Sequence, residues 1–390
     1  MDSLSQIVLG AACVAAVAPA AQRRRALVVG AALGTLPDLD VLPLLLVRDA
    51  VQFVTWHRSV SHSLLVLPLL GCLLWWLAQR RWSWTGADRW RWFAGFQLAL
   101  ITHPLLDAHT VYGTQLLWPL PSEPVMWSTV FIIDPLYTLP LLVGVVGAWC
   151  WRERAAALRA VQIGLLLSTA YLGWSWVAKW RVEHALVPML ERIGLEHDPL
   201  LTVPTPFNTL GWRVVVMRDD GYFEGFASAI YPQRPITLRF HARHGEFARR
   251  FERLPAVRRM RWFTRGFLHI EQRASAAVLT DLRMGMAPDY FFSFLIARDN
   301  GTRWTTVHPA EQLPRPRIDE QALARVQGSV LQAFEPVNAV VEAARRGGGP
   351  VKGGCAGPRS RGLEAPAFDK LRPNGISRGP SPSQAARGRP

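Results

Sequence analysis

The sequence predicts a polytopic all-α membrane bundle of five or six spans, followed by a smaller α+β domain with an antiparallel sheet and a disordered tail. Three observations carry that prediction. Half of the 390 residues are hydrophobic and only 19% are charged, too apolar for an ordinary soluble chain of this length. Long apolar runs give way to short alternating ones near residue 200. Basic residues follow the same division, with 13 Lys/Arg in 1–180, 21 in 181–344 and 10 in 345–390. The expected units are therefore a membrane-embedded domain over 1–180, an extramembrane α+β domain over 181–344, and a basic Gly/Pro-rich tail over 345–390. Wholesale disorder and a collagen-like fibre are excluded. Cys13, Cys72, Cys150 and Cys355 form no CxxC pair and no disulfide framework.

Crossing roughly 30 Å of hydrocarbon takes about 20 apolar residues. The candidate spans are 4–21, 26–47, 63–78, 92–111, 129–151 and 157–178. The first resembles a signal peptide with Ala18-Pro19-Ala20 as its cleavage site. Met1-Asp2-Ser3 carries no basic residue, however, and Arg23-Arg24-Arg25 follows, so a retained helix is expected. Pro37-Asp38-Leu39-Asp40 breaks the second stretch into a short tilted helix or a helix with a re-entrant piece. Arginines 23, 24, 25, 80, 81, 89, 91, 152, 154 and 159 fall in one set of loops, and only Arg48 and Arg58 in the other. Basic loops stay cytoplasmic. That count puts the N-terminus and everything after 180 on the non-cytoplasmic face, with Trp75, Trp76, Trp90, Trp92, Trp149 and Trp151 as an aromatic belt at the opposite headgroups.

Beyond residue 200, Trp212–Arg218 and Tyr222–Ala229 flank an Asp219-Asp220-Gly221 turn and read as a hairpin. Ile236–Phe240, Phe267–Gln272 and Tyr290–Ala297 extend the sheet. Phe247, Phe251, Leu254, Val257, Met260 and Phe263 recur at helical spacing among arginines, predicting a basic amphipathic helix interrupted at Pro255. It either packs on the sheet with a solvated face or docks on anionic lipid headgroups.

Polar side chains interrupt the apolar half in clusters: Asp38 and Asp40, His57 and His62, His103 and Asp107, then Asp134. Each falls at the span end assigned to the non-cytoplasmic face, whereas random scatter would place some near the basic loops. Asp38 and Asp40, two apart in an extended or turn segment, point the same way. His103 and Asp107 share one helix face. Imidazoles with carboxylates suit a divalent cation, zinc foremost, with manganese or iron as alternatives. Asp38, Asp40, His57, His62, His103 and Asp107 are the candidate ligands. Taken singly, any of them reads as a hydrogen bond between helices; taken together, the alternative is a proton or ion pathway. Asp134-Pro135 also reads as a helix N-cap. Asp2, Ser5 and Gln6 lie on the same face. His241 and His244 form a weak second pair, and His184, His197, His269 and His308 show no grouping. No GxSxG, Walker, GxGxxG or HExxH pattern occurs. The net charge of +15 comes largely from the tail and the Arg-rich helix, so no nucleic-acid partner is expected.

Asp2-Ser3-Leu4-Ser5-Gln6, Gly34-Thr35-Leu36-Pro37-Asp38-Leu39-Asp40, His57-Arg58-Ser59-Val60-Ser61-His62-Ser63, His103-Pro104-Leu105-Leu106-Asp107 and Asp134-Pro135-Leu136-Tyr137 closely resemble the YdjM-like family of inner-membrane-associated metal-dependent hydrolases. Gly113-Thr114-Gln115-Leu116 and Trp118-Pro119 extend the resemblance, which covers about residues 1–180. Gln6 stands where many relatives have His. The resemblance implies a bacterial inner-membrane protein with a metal-assisted hydrolytic role.

The expected mechanism is a metal-activated water, with Asp40 or Asp134 taking its proton. Arg58 either holds a phosphate or carboxylate oxygen of the substrate or is a snorkelling interfacial residue. A site at headgroup level suits a lipid-linked or amphipathic substrate. The competing reading is a non-catalytic protein in which the metal clamps the spans and the α+β domain recruits a protein partner. A transporter is disfavoured because spans three, five and six lack polar residues.

Overall fold

The computed structural model describes residues 1–151, 154–243 and 245–315, with scattered positions from 320 to 334. His244 and the tail from 345 lie outside the described residues. Helix α1 (Ser3–Val17) starts at Asp2, whose carboxylate accepts from the Ser5 amide at 3.1 Å, and stops before Pro19. Helix α2 (Arg23–Thr35) returns antiparallel to it. Glycines set their separation: a Cβ on Gly10 would lie 2.3 Å from the Gly30 carbonyl oxygen, and one on Gly34 would lie 2.4 Å from that of Gln6. Lipid offers no hydrophobic drive for helices to associate, so small residues that let backbones touch replace it. Helices α7 (Pro135–Trp151) and α8 (Ala155–Arg192) repeat the device, with a Gly164 Cβ falling 2.6 Å from the Pro140 oxygen.

Between these pairs the chain makes a 3-10 turn at Leu36–Asp40, a single helical turn α3 (Val41–Leu44), α4 (Ala50–Trp56) capped by Asp49, a second 3-10 turn at Val60–His62, α5 (Leu67–Trp82) and α6 (Gly86–Ala108). Helix α1 is central and packs on α2, α6, α7 and α8. The Arg-rich loops share one end of this bundle. There Gln22 Oε1 accepts from Trp84 and Trp92, and Arg24 donates to the Trp149 carbonyl at 3.0 Å. Trp92, expected in the belt, is instead buried and stacked on Trp84 at 4.5 Å; Trp90, Trp149 and Trp151 stay exposed.

The expectation of five or six spans is corrected. Ala20–Leu44 and Ala155–Arg192, at 25 and 38 residues, are long and apolar enough to cross a membrane. A third span arises if Ala50–His62 and Leu67–Trp82, bent by 57°, count as one. At about 1.5 Å per residue, α1 and α7, of 15 and 17 residues, fall short of the hydrocarbon thickness. Helix α6 is longer, but Arg91, Gln97, His103 and Asp107 break its apolar run.

The rest of the described chain builds two antiparallel sheets rather than the one expected. Strands β1 (Leu200–Pro204), β2 (Gly211–Met217), β3 (Gly221–Ser228) and β4 (Arg239–Ala242) run in that order. The predicted hairpin is present, with Met217 opposite Tyr222. The second sheet orders β10 (Trp304–Gln312), β9 (Ser293–Asp299), β6 (Ala276–Asp281) and β5 (Leu268–Arg273); β7 (Gly285–Met286) and β8 (Asp289–Tyr290) form a small ribbon. Both faces of β2 are covered, which explains its unbroken apolar run. Trp212, Val214 and Val216 meet Ala178, Val182 and Leu186 of α8, and Val215 and Met217 meet Phe267 and Leu282 beyond β5 and β6. The basic helix is split into α9 (Gly245–Arg249) and α10 (Pro255–Thr264), with Pro255 in the first turn of α10. Val257, Met260 and Phe263 of α10 pack on β5 and β6 and reach Val51 and Val54 of α4. Helical and sheet parts belong to one unit, Met1–Ala344.

Candidate metal centre

Helix α2 runs from the Arg-rich end to Gly34, and α6 runs from the same end to His103 and Asp107, so both deliver their last turns to the opposite end of the bundle. The 3-10 turn after α2 adds Asp38, and the one before α5 adds His62. One ligand atom from each of Asp38, His62, His103 and Asp107 lies within 4.8 Å of all the others. His62 Nε2 is 3.1 Å from Asp107 Oδ2, 3.4 Å from Asp38 Oδ1 and 3.1 Å from His103 Nε2. His103 Nε2 is 3.5 Å from Asp38 Oδ1 and 3.6 Å from Asp107 Oδ2. The side chain of Asp38 is 23% exposed, and the other three are fully buried.

Hydrogen bonds fix the tautomers. His103 Nδ1 is 2.7 Å from the Gly34 carbonyl oxygen, which can only accept, so Nδ1 carries the hydrogen and Nε2 presents a lone pair. Ser61 Oγ donates to Asp40 Oδ2 at 2.6 Å and therefore accepts from His62 Nδ1 at 2.9 Å. That leaves His62 Nε2 with a lone pair too. With both imidazoles neutral, two imine lone pairs and two carboxylates converge, and Asp107 Oδ2 accepts no hydrogen bond, having only its 3.3 Å ion pair with Arg58. A cation held among the four would satisfy them together. Metal bonds of ~2.0–2.1 Å in a tetrahedron imply ligand atoms about 3.3 Å apart, close to the five separations above. The donor set thus fits a divalent ion of zinc type.

Other candidates stand around that group rather than in it. Asp40 accepts from His57 Nδ1 at 2.8 Å, Ser61 Oγ at 2.6 Å and the Arg58 amide at 3.1 Å. His57 is thereby held on Asp40. Asp38 and Asp40 do not point the same way: in a 3-10 turn each residue advances about 120°, so residues two apart diverge. Arg58 is buried with a left-handed φ of 61°, Nε 3.3 Å from Asp107 Oδ2 and Nη1 bonded to Thr110 Oγ1 at 3.1 Å. Asp134 is not brought to the cluster; it accepts from Tyr171 OH at 2.8 Å and the Leu136 amide at 3.1 Å at the start of α7. Gln6 reaches the site, donating to Asp107 Oδ1 at 3.0 Å, and the Met1 amine pairs with the same oxygen. Asp2 turns to Ser5 instead. His241 stacks on Tyr222 at 4.7 Å, in the sheet region.

Sequence reasoning missed Ser61, the Gly34 carbonyl and the Met1 amine. Ser61 stood inside the quoted histidine motif, whereas a backbone carbonyl leaves no sequence signal.

The sheet region adds a brace. Arg283 is bidentate to Asp281 and donates to the Tyr112 and Phe263 carbonyls at 2.8 and 3.1 Å. Tyr112 in turn lies 4.8 Å from the Arg58 guanidinium and donates from OH to the Val54 carbonyl.

No curated protein and no solved structure matches the chain. Residues 1–182 match the family model described as YdjM inner membrane protein, a stretch that carries every side chain of the four-residue cluster and ends before the first strand. Over residues 1–182, therefore, the chain is similar to the YdjM inner membrane protein family.

Proposed function

We propose that this protein is a membrane-embedded metal-dependent hydrolase, with one divalent ion, zinc by its donor set, held by Asp38, His62, His103 and Asp107. The observation that carries the reading is the convergence of four acceptor atoms at tetrahedral spacing, one of them a buried oxygen that accepts no hydrogen bond. An ion held there would supply Lewis acidity, which lowers the pKa of a bound water towards ~7. The chain's own groups do the rest. Asp38, the one solvent-reaching member, marks the open side. Asp40 accepts a hydrogen bond from His57 Nδ1–H, which leaves His57 Nε2 as the basic atom that accepts a proton. Arg58, turned onto Asp107 and Thr110, holds a ligand in place rather than a substrate. Asp134 has no part in this chemistry.

A second reading keeps the metal and drops the reaction: four protein donors, three of them fully buried, also suit a closed structural site. Full-length protein purified in detergent and reconstituted with zinc separates the two. We expect one zinc per chain, loss of zinc in His62→Ala and Asp107→Asn with the bundle folded, and hydrolysis of chromogenic ester or phosphodiester probes that disappears in His57→Ala while zinc is retained. Zinc binding with no turnover, together with collapse of the fold on chelation, selects the structural reading. A reconstituted sample that binds no metal removes both.

We place the cluster, residues 181–344 and the tail on the non-cytoplasmic face of the inner membrane. The support is that the described arginines of the basic loops gather at the other end of the bundle. An alkaline phosphatase fused after residue 200 should be active; activity only of a cytoplasmic reporter there reverses the orientation.

A further inference from the structure

Beside the cluster, where the candidate span Ala20–Leu44 ends, a cleft of about 1010 Å³ opens between the helical part and α10. One wall is apolar, with Trp56, Val60, Trp118 and Leu120 lining it while remaining 45%, 44%, 37% and 55% exposed. Large apolar side chains left uncovered at a span end face the lipid–water boundary, where tryptophan is favoured. The other wall is polar, with Asp40, Gln115 and Arg259. Two short chains of bonds connect it to the cluster: Asp40 through Ser61 to His62, and Gln115, whose amide donates to the Arg58 carbonyl, through Arg58 to Asp107.

The charges on this wall are unequal in their needs. Asp40 already accepts three hydrogen bonds, and Glu123, also lining the cleft, pairs with Arg265 at 3.3 Å. Arg259 has a neutral partner, donating from Nε to Thr55 Oγ1 at 3.1 Å, and its guanidinium lies 4.3 Å from the Trp262 ring centre. Among the described residues no carboxylate comes within ion-pair distance of it, unlike Arg213 on Glu224 or Arg283 on Asp281. Burial without a counter-ion holds its pKa below the ordinary guanidinium value. A half-desolvated cation fixed on the wall of a cleft calls for an anion from outside the chain.

We propose that the cleft binds an amphiphile drawn from the bilayer, with its anionic headgroup on Arg259 beside the metal cluster and its chain along Trp56, Val60, Trp118 and Leu120. The proposal rests on the hydrolase reading only for what happens to the ligand; its binding stands independently. Arg259, contributed from beyond the family-matched stretch, then sets which headgroup is accepted.

Full-length protein is delipidated, exposed to equimolar phosphatidylglycerol and phosphatidylcholine, and analysed by native mass spectrometry for retained lipid, with zinc measured on the same samples. One phosphatidylglycerol should be retained preferentially, and Arg259→Gln should lower that preference about tenfold, the scale of one charge-assisted hydrogen bond. Arg261→Gln is the control: it lies on the same helix, pairs with Glu252 at 3.0 Å and does not line the cleft. Trp118→Ala should weaken retention of both lipids, which keeps the test alive should Arg259→Gln fold poorly. Equal effects of Arg259→Gln and Arg261→Gln, or retention indifferent to headgroup charge, overturn the proposal. So does displacement of the lipid by glycerol phosphate alone at similar concentration, since the chain would then contribute nothing. Zinc loss in His103→Ala with phosphatidylglycerol retained leaves the cleft standing apart from the metal; zinc bound normally with no lipid preference sinks the cleft and spares the metal.

Discussion

Asp281 and Arg283 are out of solvent, and so are His62, His103 and Asp107, yet the two groups meet the cost of burial differently. In the sheet region charge meets opposite charge, and the Arg283 guanidinium is spent on Asp281 and on backbone carbonyls. Arg213 likewise meets Glu224 at 2.5 Å. At the end of the bundle Asp107 does meet Arg58 and the Met1 amine, but toward Asp38, His62 and His103 acceptor faces acceptor. What separates a structural polar core from a binding centre is therefore not burial or residue type but whether the donors and acceptors cancel within the chain.

The sharpest break in this comparison is His103→Ala. It removes one of the four proposed ligands, so stoichiometric zinc should vanish in elemental analysis while denaturant unfolding of the sheet region is unchanged. Arg283→Met should do the reverse. Leaving Asp281 buried and unpaired costs about 3–5 kcal/mol, read in denaturant midpoints, and folded protein should still carry one zinc per chain. Ser61→Ala is subtler, because it leaves every proposed ligand in place and cuts the bond that orients His62 together with the one to Asp40. Zinc affinity by competition with a chelator should fall ~10–100-fold. The smallest effect concerns pH. Burial pushes the His269 pKa down to about 4, whereas an unfolded imidazole titrates near ~6.5. Between those values the unfolded chain holds the extra proton, so stability rises with pH across that window and is lost on acidifying through it. The loss at pH 5 should be on the order of 1–2 kcal/mol, and His269→Gln should flatten it.

The position of the site was legible because its members stand at the ends of apolar runs: Asp38 after Pro37, the histidine pair ahead of one run, and His103 with Asp107 in the last turns of α6. Division of labour among them was not. Assigning Asp38 and Asp40 to different partners needs the 3-10 geometry of Leu36–Asp40, and an extended reading puts them on one side. In the sheets, β2 and β3 announced themselves through their turn, and β5 was placed within one residue. Strands β1, β6 and β10 were missed. Ala276–Asp281 is a short apolar run that periodicity cannot distinguish from helix, and Trp304–Gln312 carries Pro309 and an irregular register against β9. Spans were overcounted because the apolar runs in sequence outrun the helices, past the end of α1 at Val17 and ahead of the start of α7 at Pro135.

Helix α8 is unbroken for 38 residues, about 57 Å at 1.5 Å per residue, nearly twice the thickness of the hydrocarbon layer. The boundary the sequence suggests at residue 180 falls inside it. The first sheet rests on its far half, through Val182, Leu186 and Leu190. A mast of that length sets the height at which the sheets ride above the lipid and denies them free rotation. Cutting the chain at 180 to obtain a separate soluble piece would fell the mast midway and strip the sheet of its support.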